Sequence, residues 1–184
     1  MTEATQDQDA DVDGRLIERY QAGDERAASE LVARHAQALA RFAASLGERD
    51  DVDELVQDTF VRAFGALEAF RAESSLRTWL FTIERRLILD RRRSAARHHA
   101  RFDGVEVEAA TEHTALDAVV AEETEARLQA AIGRLSPLQR EVFVLRVAEG
   151  RSYKEIAEIA GTTEGAARVH YHNAMKAMKE FVDA

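Results

Sequence analysis

Apolar residues recur at three- and four-residue steps along most of the chain, the spacing that gathers them on one face of an α-helix. The stretch GRLIERYQAG predicts a short helix ending near Gly23. DERAASELVARHAQALARFAASLG predicts a second, with Leu31, His35, Leu39, Phe42 and Leu46 on its apolar side and Gly47 as its stop. A third, DDVDELVQDTFVRAFGALEAF, opens with acids that suit a positive helix N-terminus and carries Val52, Leu55, Val56, Phe60, Phe64 and Leu67 as its stripe. SSLRTWLFTIERRLILDRRR predicts a fourth, capped by Ser74 or Ser75, with Leu76, Leu80, Ile83 and Leu87 facing inward. Four helices of these lengths are enough to close a small bundle.

The pattern dissolves after about residue 97. HHARFDGVEVEAATEHT has no clear period and is acidic and rich in small residues, the composition of a linker. Helical character returns at ALDAVVAEETEARLQAAIGRL. Beyond it, Ser136, Pro137 and Gln139 spell an N-cap, a first-turn proline and a capping box. Ser152 and Glu155 repeat the cap, Gly161 stops that helix, and Thr162 or Thr163 opens the last one. A short helix, a tight turn and a second helix make a helix-turn-helix candidate. Ala157, Ala160, Gly165 and Ala166 are the small residues that let the two helices approach. The second helix of such a pair lies in a major groove with its N-terminal residues at base edges. The expected fold class is all-α, two small helical domains joined by a flexible acidic linker.

Composition agrees and narrows the chemistry. With one proline and nine glycines in 184 residues, long helices and few turns are expected. The absence of cysteine excludes disulfides, thiolate metal sites and cysteine nucleophiles. The N-terminal MTEATQDQDADVD has neither the basic start nor the apolar run of a signal peptide, so a cytoplasmic protein is expected. The formal net charge is −9, but it is segregated. Nine arginines against three acids occupy residues 71–101, eight acids without a base occupy 102–125, and five more acids fall in the first 13 residues. A basic stripe on an acidic chain points to a local contact with a polyanion.

On the fourth helix Thr78, Thr82, Arg85, Arg86 and Arg93 share a polar face, with Trp79 at its border. Arginines pair bidentately with phosphates, and an aromatic among them can stack on an unpaired base. The alternative is a solvated face. Trp79 lies only about 60° from the centre of the apolar stripe at 100° per residue, which favours a partly buried indole over a free platform. Catalytic constellations are poor: His170 and His172, two apart on a helix, point to different faces, and no glycine-rich phosphate loop is present. A metal-dependent helical hydrolase using His98, His99 or His113 is the remaining enzymatic alternative. A stand-alone helix-turn-helix regulator of duplex DNA is the non-enzymatic one.

Taken together, three segments resemble the small two-domain, extracytoplasmic-function type of bacterial RNA polymerase sigma factor, in the family's order from Leu16 to Val182. DVDELVQDTFVRAFGALEAFR looks like the segment that docks on core polymerase. SSLRTWLFTIERRLILDRRR is similar to the segment that melts and reads the −10 promoter element. LSPLQREVFVLRVAEGRSYKEIAEIAGTTEGAARVHYHNAMK resembles the domain that reads the −35 element. The resemblance implies a disordered acidic tail over 1–13, a sigma region 2 domain over 14–98, an acidic linker over 99–113 and a sigma region 4 domain over 114–184.

By the same resemblance Asp53, Glu54, Gln57, Asp58 and Phe60 would face core polymerase, with Phe60 equally suited to the hydrophobic core. Arg71, Ser74, Ser75, Arg77, Thr78, Trp79, Thr82, Arg85, Arg86 and Arg93 would meet the −10 element. Thr162, Thr163, Glu164, Ala166, Arg168, His172 and Lys176 would meet the −35 element. The implied partners are core RNA polymerase, promoter DNA and an anti-sigma factor, with no small-molecule substrate, cofactor, metal or catalytic residue. Two departures are specific to this chain. Arg85-Arg86 stands where the family often has Arg-Asn, and the last helix, reading AARVHYHNAM, is poor in charge.

Overall fold

The structure, a computed structural model, describes residues 3–49, 51–102 and 130–182, and every regular element among them is helical. The chain divides into two units, residues 1–90 and 91–184.

The first unit holds α1 (Glu3–Gln21), α2 (Glu25–Ser45), α3 (Val52–Gly65), a 3-10 turn (Leu67–Ala69) and most of α4 (Leu76–Phe102). Between α1 and α2 the chain reverses through Gly23 at φ +94°, where a side chain would be strained even though the space is open. Asp24 then caps α2 by accepting from the Arg26 amide at 3.0 Å. The buried apolar residues include Leu16 and Ile17 of α1, Leu31, Leu39 and Phe42 of α2, and Leu55 of α3. Of the stripe predicted on α4, Leu76, Leu80 and Leu87 are buried and Ile83 half-buried, while Phe81 and Ile88 are buried beside them. Phe42 and Phe81 meet edge-on with centroids 4.9 Å apart, and neither is exposed. Removing either ring would cost about 3–5 kcal/mol. A neighbouring cluster joins Ala43, Leu55, Leu87 and Ile88, with Val52 and Ile83 at its edge.

Two boundaries differ from the sequence pattern. The acidic start predicted as a disordered tail is helical from Glu3, so that expectation is corrected. Asp9 and Asp13, four apart and on one face, both grip Arg34 of α2, at 2.8 and 2.9 Å. Acids also suit the N-terminal half of a helix. At the other end α4 continues to Phe102, past the loss of apolar period near residue 97, with Ala95, Ala96, Arg97, Ala100 and Arg101 as its strong helix formers. The remainder of the expected linker, 103–113, lies outside the described residues.

In the second unit a helical stretch ends at residue 133, followed by α5 (Pro137–Val147), α6 (Tyr153–Ala160) and α7 (Glu164–Val182). Both capping boxes form as the sequence spells them, Ser136 with Gln139 and Ser152 with Glu155. Gly161 at φ +63° makes the turn from α6 to α7. Val142, Leu145, Ile156 and Ile159 form the core, and Ala131, Leu135, Ala174 and Met178 pack as a second cluster. The buried small residues of α6 and α7 include Ala160 and the fully buried Ala167. Gly165, expected among them, is exposed, and a Cβ at that position would meet nothing within 4 Å.

Candidate nucleic-acid interface

Ser75, not Ser74, caps α4: its hydroxyl accepts from the Thr78 amide at 3.2 Å and meets the Thr78 hydroxyl at 2.9 Å. Thr78 is thereby fully buried and is removed from the expected DNA contacts. The Thr82 hydroxyl donates back to the Thr78 carbonyl at 3.0 Å, and the side chain is half-buried. Trp79 is also half-buried, its ring 5.0 Å from Phe70 across the loop that leads into the helix. In that loop Ala72 sits at φ +54°, a left-handed conformation costing a non-glycine residue about 1 kcal/mol or more. Arg71, Arg86 and Arg93 are exposed, and Arg85 is half-buried.

Arg77 does not join them. Nine residues before Arg86, it lies on the opposite side of α4 at 100° per residue, and its Nε donates to Nδ1 of the buried His35 at 3.4 Å. An accepting Nδ1 leaves the imidazole proton on Nε2, which faces Asp13 Oδ2 at 3.0 Å. The approach is too far out of line to count as a formed hydrogen bond. Burial opposes ionisation of Asp13, but His35 and Arg34 outweigh it and hold its carboxyl below the ordinary 3.8. Arg34 thus ties Asp9 and Asp13 of α1 to α2, His35 ties α2 to Arg77 in the first turn of α4, and Asp13 faces His35 without a formed hydrogen bond.

Glu84 is a residue that the sequence pattern did not single out. Its side chain is fully buried, and neither carboxylate oxygen has a hydrogen-bond partner. Burial alone pushes its pKa from 4.5 to about 9, so at neutral pH it is a neutral acid. The signal was present in the spacing: Glu84 stands four residues from Leu80 and four from Ile88, in the middle of the buried side.

On α3, Asp53, Glu54 and Gln57 are exposed and Asp58 half-buried. Phe60 is 5% exposed and stacked on Phe64 with centroids 5.9 Å apart, so of its two readings the structure takes the core and not the partner-facing surface. Val61 takes its place at the surface. It is 65% exposed and stands four residues beyond Gln57 on the same side.

On α7 the Thr163 hydroxyl caps the helix through the Ala166 amide at 3.1 Å, while Thr162 and Ala166 are half-buried. Glu164, Arg168, His172 and Lys176 are all exposed, at four-residue steps along one side. Arg168 is paired with Glu164, and its guanidinium carbon lies 4.5 Å from the centroid of the Tyr153 ring. Lys176 has only a 3.9 Å approach to Glu180. Among the described residues no group of three His, Asp or Glu side chains is placed to hold a metal ion, and no helix is long and apolar enough to cross a membrane. His98 is exposed, and the side chains of His99 and His113 lie outside the described residues.

Comparison with known proteins matches the family described as Sigma-70 region 2 to residues 31–98 and Sigma-70, region 4 to residues 125–178. RNA polymerase sigma factor NccH of Alcaligenes xylosoxydans xylosoxydans is 37% identical over 161 residues, spanning 84% of this chain and 86% of that protein. The ECF RNA polymerase sigma-E factor of Haemophilus influenzae is 30% identical, over 85% of this chain and 87% of that one. Among solved structures, the sigma factor RpoE of Bartonella quintana in complex with the anti-sigma factor NepR superposes with a TM-score of 0.68 at 30% identity. That match covers 85% of this chain and 96% of that one.

Proposed function

The chain belongs to the ECF sigma factors of bacterial RNA polymerase, and from that membership we propose that it binds core polymerase, recognises −10 and −35 promoter elements and starts promoter melting. Sigma factors are not enzymes, and this one leaves RNA synthesis to the polymerase. Region 2 runs from residue 14 to the end of α4 at Phe102, region 4 occupies 114–184, and the acidic linker lies between them. The protein works in the cytoplasm. An anti-sigma factor is its expected regulator, since a similar sigma factor has been solved with one.

The observation that carries this reading is that both sigma regions match one chain in order, over nearly the whole length of the relatives. The surfaces support it. Asp53, Glu54, Gln57, Asp58 and Val61 form the polymerase face. Arg71, Ser74, Trp79, Thr82, Arg85, Arg86 and Arg93 supply the −10 surface, with Ser75 as the cap that orients it. Arg86 reads a base and Arg93 contacts phosphate. Thr163, Glu164, Arg168, His172 and Lys176 supply the −35 surface. An acidic total with one basic stripe also restrains non-specific DNA binding by the free protein, because that affinity rises with the number of phosphates neutralised.

Run-off transcription with purified core polymerase and a library of genomic fragments tests the whole reading. Transcripts that require this protein are expected. Duplex binding without polymerase, and no transcripts with it, would instead favour the stand-alone regulator.

A further inference from the structure

The −35 surface is poor in charge, so the few charged side chains it has must be well placed to discriminate bases. Arg168 is the best placed of them, held directly by one side chain of its own helix and one of α6. Glu164, one turn earlier on α7, holds its guanidinium in an ion pair. The ring of Tyr153, the first residue of α6, lies under the same guanidinium at 4.5 Å. Tyr153 is seated in turn by the edge of Tyr171, with centroids 5.9 Å apart, and by Arg146 of α5 at 4.8 Å. Arg146 is itself tied down, donating to the Arg151 carbonyl at 2.8 Å. A planar cation resting on an aromatic face keeps its forked N–H donors in a defined plane, whereas an unsupported arginine samples many.

We infer that Tyr153 is a positioning residue for promoter specificity, fixing Arg168 as a bidentate reader of guanine at one position of the −35 element. Guanine is the base whose O6 and N7 match two parallel arginine donors in the major groove. Tyr153 itself touches no DNA. It acts through its ring, so its hydroxyl is dispensable. This rests on the −35 assignment of α7 above, and the experiment separates the two.

Holoenzyme reconstituted from core polymerase and the full chain selects promoter duplexes from a pool randomised across the −35 region, with the −10 region held constant. The parent is expected to enrich guanine at one position, and Arg168→Ala to lower that preference by about tenfold or more. Tyr153→Phe keeps the preference. Tyr153→Leu and Tyr153→Met lose most of it at that position alone, add nothing in combination with Arg168→Ala, and leave the salt slope of binding unchanged because no charge is removed. Should Arg168→Ala alter no position, the −35 assignment of Arg168 fails. If Arg168→Ala alters one and the leucine and methionine variants alter none, or weaken every position alike, the positioning role is overturned.

Discussion

Replacing Glu84 by glutamine or leucine is expected to change how the stability of the N-terminal unit depends on pH. The carboxyl titrates near 4.5 when unfolded and at about 9 in the fold, where burial disfavours its charge. Its folded pKa is raised, so the folded state holds a proton that the unfolded state releases. Its contribution is fully present below 4.5 and is lost steadily as the pH climbs towards 9, at about 1.4 kcal/mol per pH unit. By pH 7 the parent has lost about 3 kcal/mol from this group alone, a large fraction of an ordinary domain's stability. Glu84→Gln keeps the shape and an unsatisfied buried amide but does not titrate, so it cancels the slope. Glu84→Leu removes the polar group as well and is expected to exceed the parent by about 4 kcal/mol at pH 7.5. Urea titration followed by the fluorescence of Trp79, the only tryptophan and a residue of the same helix, reads this directly. The stability difference between Glu84→Gln and parent should widen by about 4 kcal/mol between pH 5.5 and 8.5. Parallel pH curves for the two proteins would show that Glu84 is not a buried neutral acid.

The polar group around Asp13 and the first turn of α4 has the opposite sign. Asp13 has a depressed pKa, so its contribution is present above 3.8 and lost as the pH falls through the folded value. Asp13→Asn should cost about 3 kcal/mol at pH 7 and flatten the acid limb of the melting-temperature profile; an unchanged limb would place the acid sensitivity elsewhere. Asp53→Arg or Gln57→Arg on the exposed side of α3 should abolish co-purification with core polymerase while leaving the helical circular dichroism intact. Exposed substitutions usually cost under about 0.5 kcal/mol, so retained association would remove α3 as the polymerase face. Arg93→Ala should lower the salt slope of promoter binding by about one, whereas Arg86→Ala should relax base preference at one −10 position at a cost of about 1–3 kcal/mol. Matching effects of the two would end that division of labour.

The helices were legible because their signals are local. Apolar spacing and caps are written in neighbouring residues, and both capping boxes, the glycine stops and the convergence of the stripes appear where the sequence spells them. The start of α1 was not legible, because its stabilising partner, Arg34, is 21 to 25 residues away. Read alone, that acidic segment has the composition of a disordered tail. Read with Arg34, it is a helix with two of its carboxylates engaged.

The same distinction between local and tertiary signals governs the candidate interface. Residue type singles out arginines on α4 and acids on α3 as candidates, but not which way each side chain turns. Thr78 and Arg86 look alike on a helical wheel as polar residues flanking a stripe, yet Thr78 is buried at the cap while Arg86 is exposed. Arg77 is drawn to His35, which is 42 residues away in the chain. Glu84 inverts the usual inference altogether, since a charged residue type stands where the spacing demands an apolar one. Spacing decides its location and burial decides its protonation, so at neutral pH it adds no negative charge beneath the arginine face. The positive field of α4 therefore depends on Glu84 remaining neutral. Opening the bundle would expose the carboxyl, ionise it and subtract from the positive charge of α4.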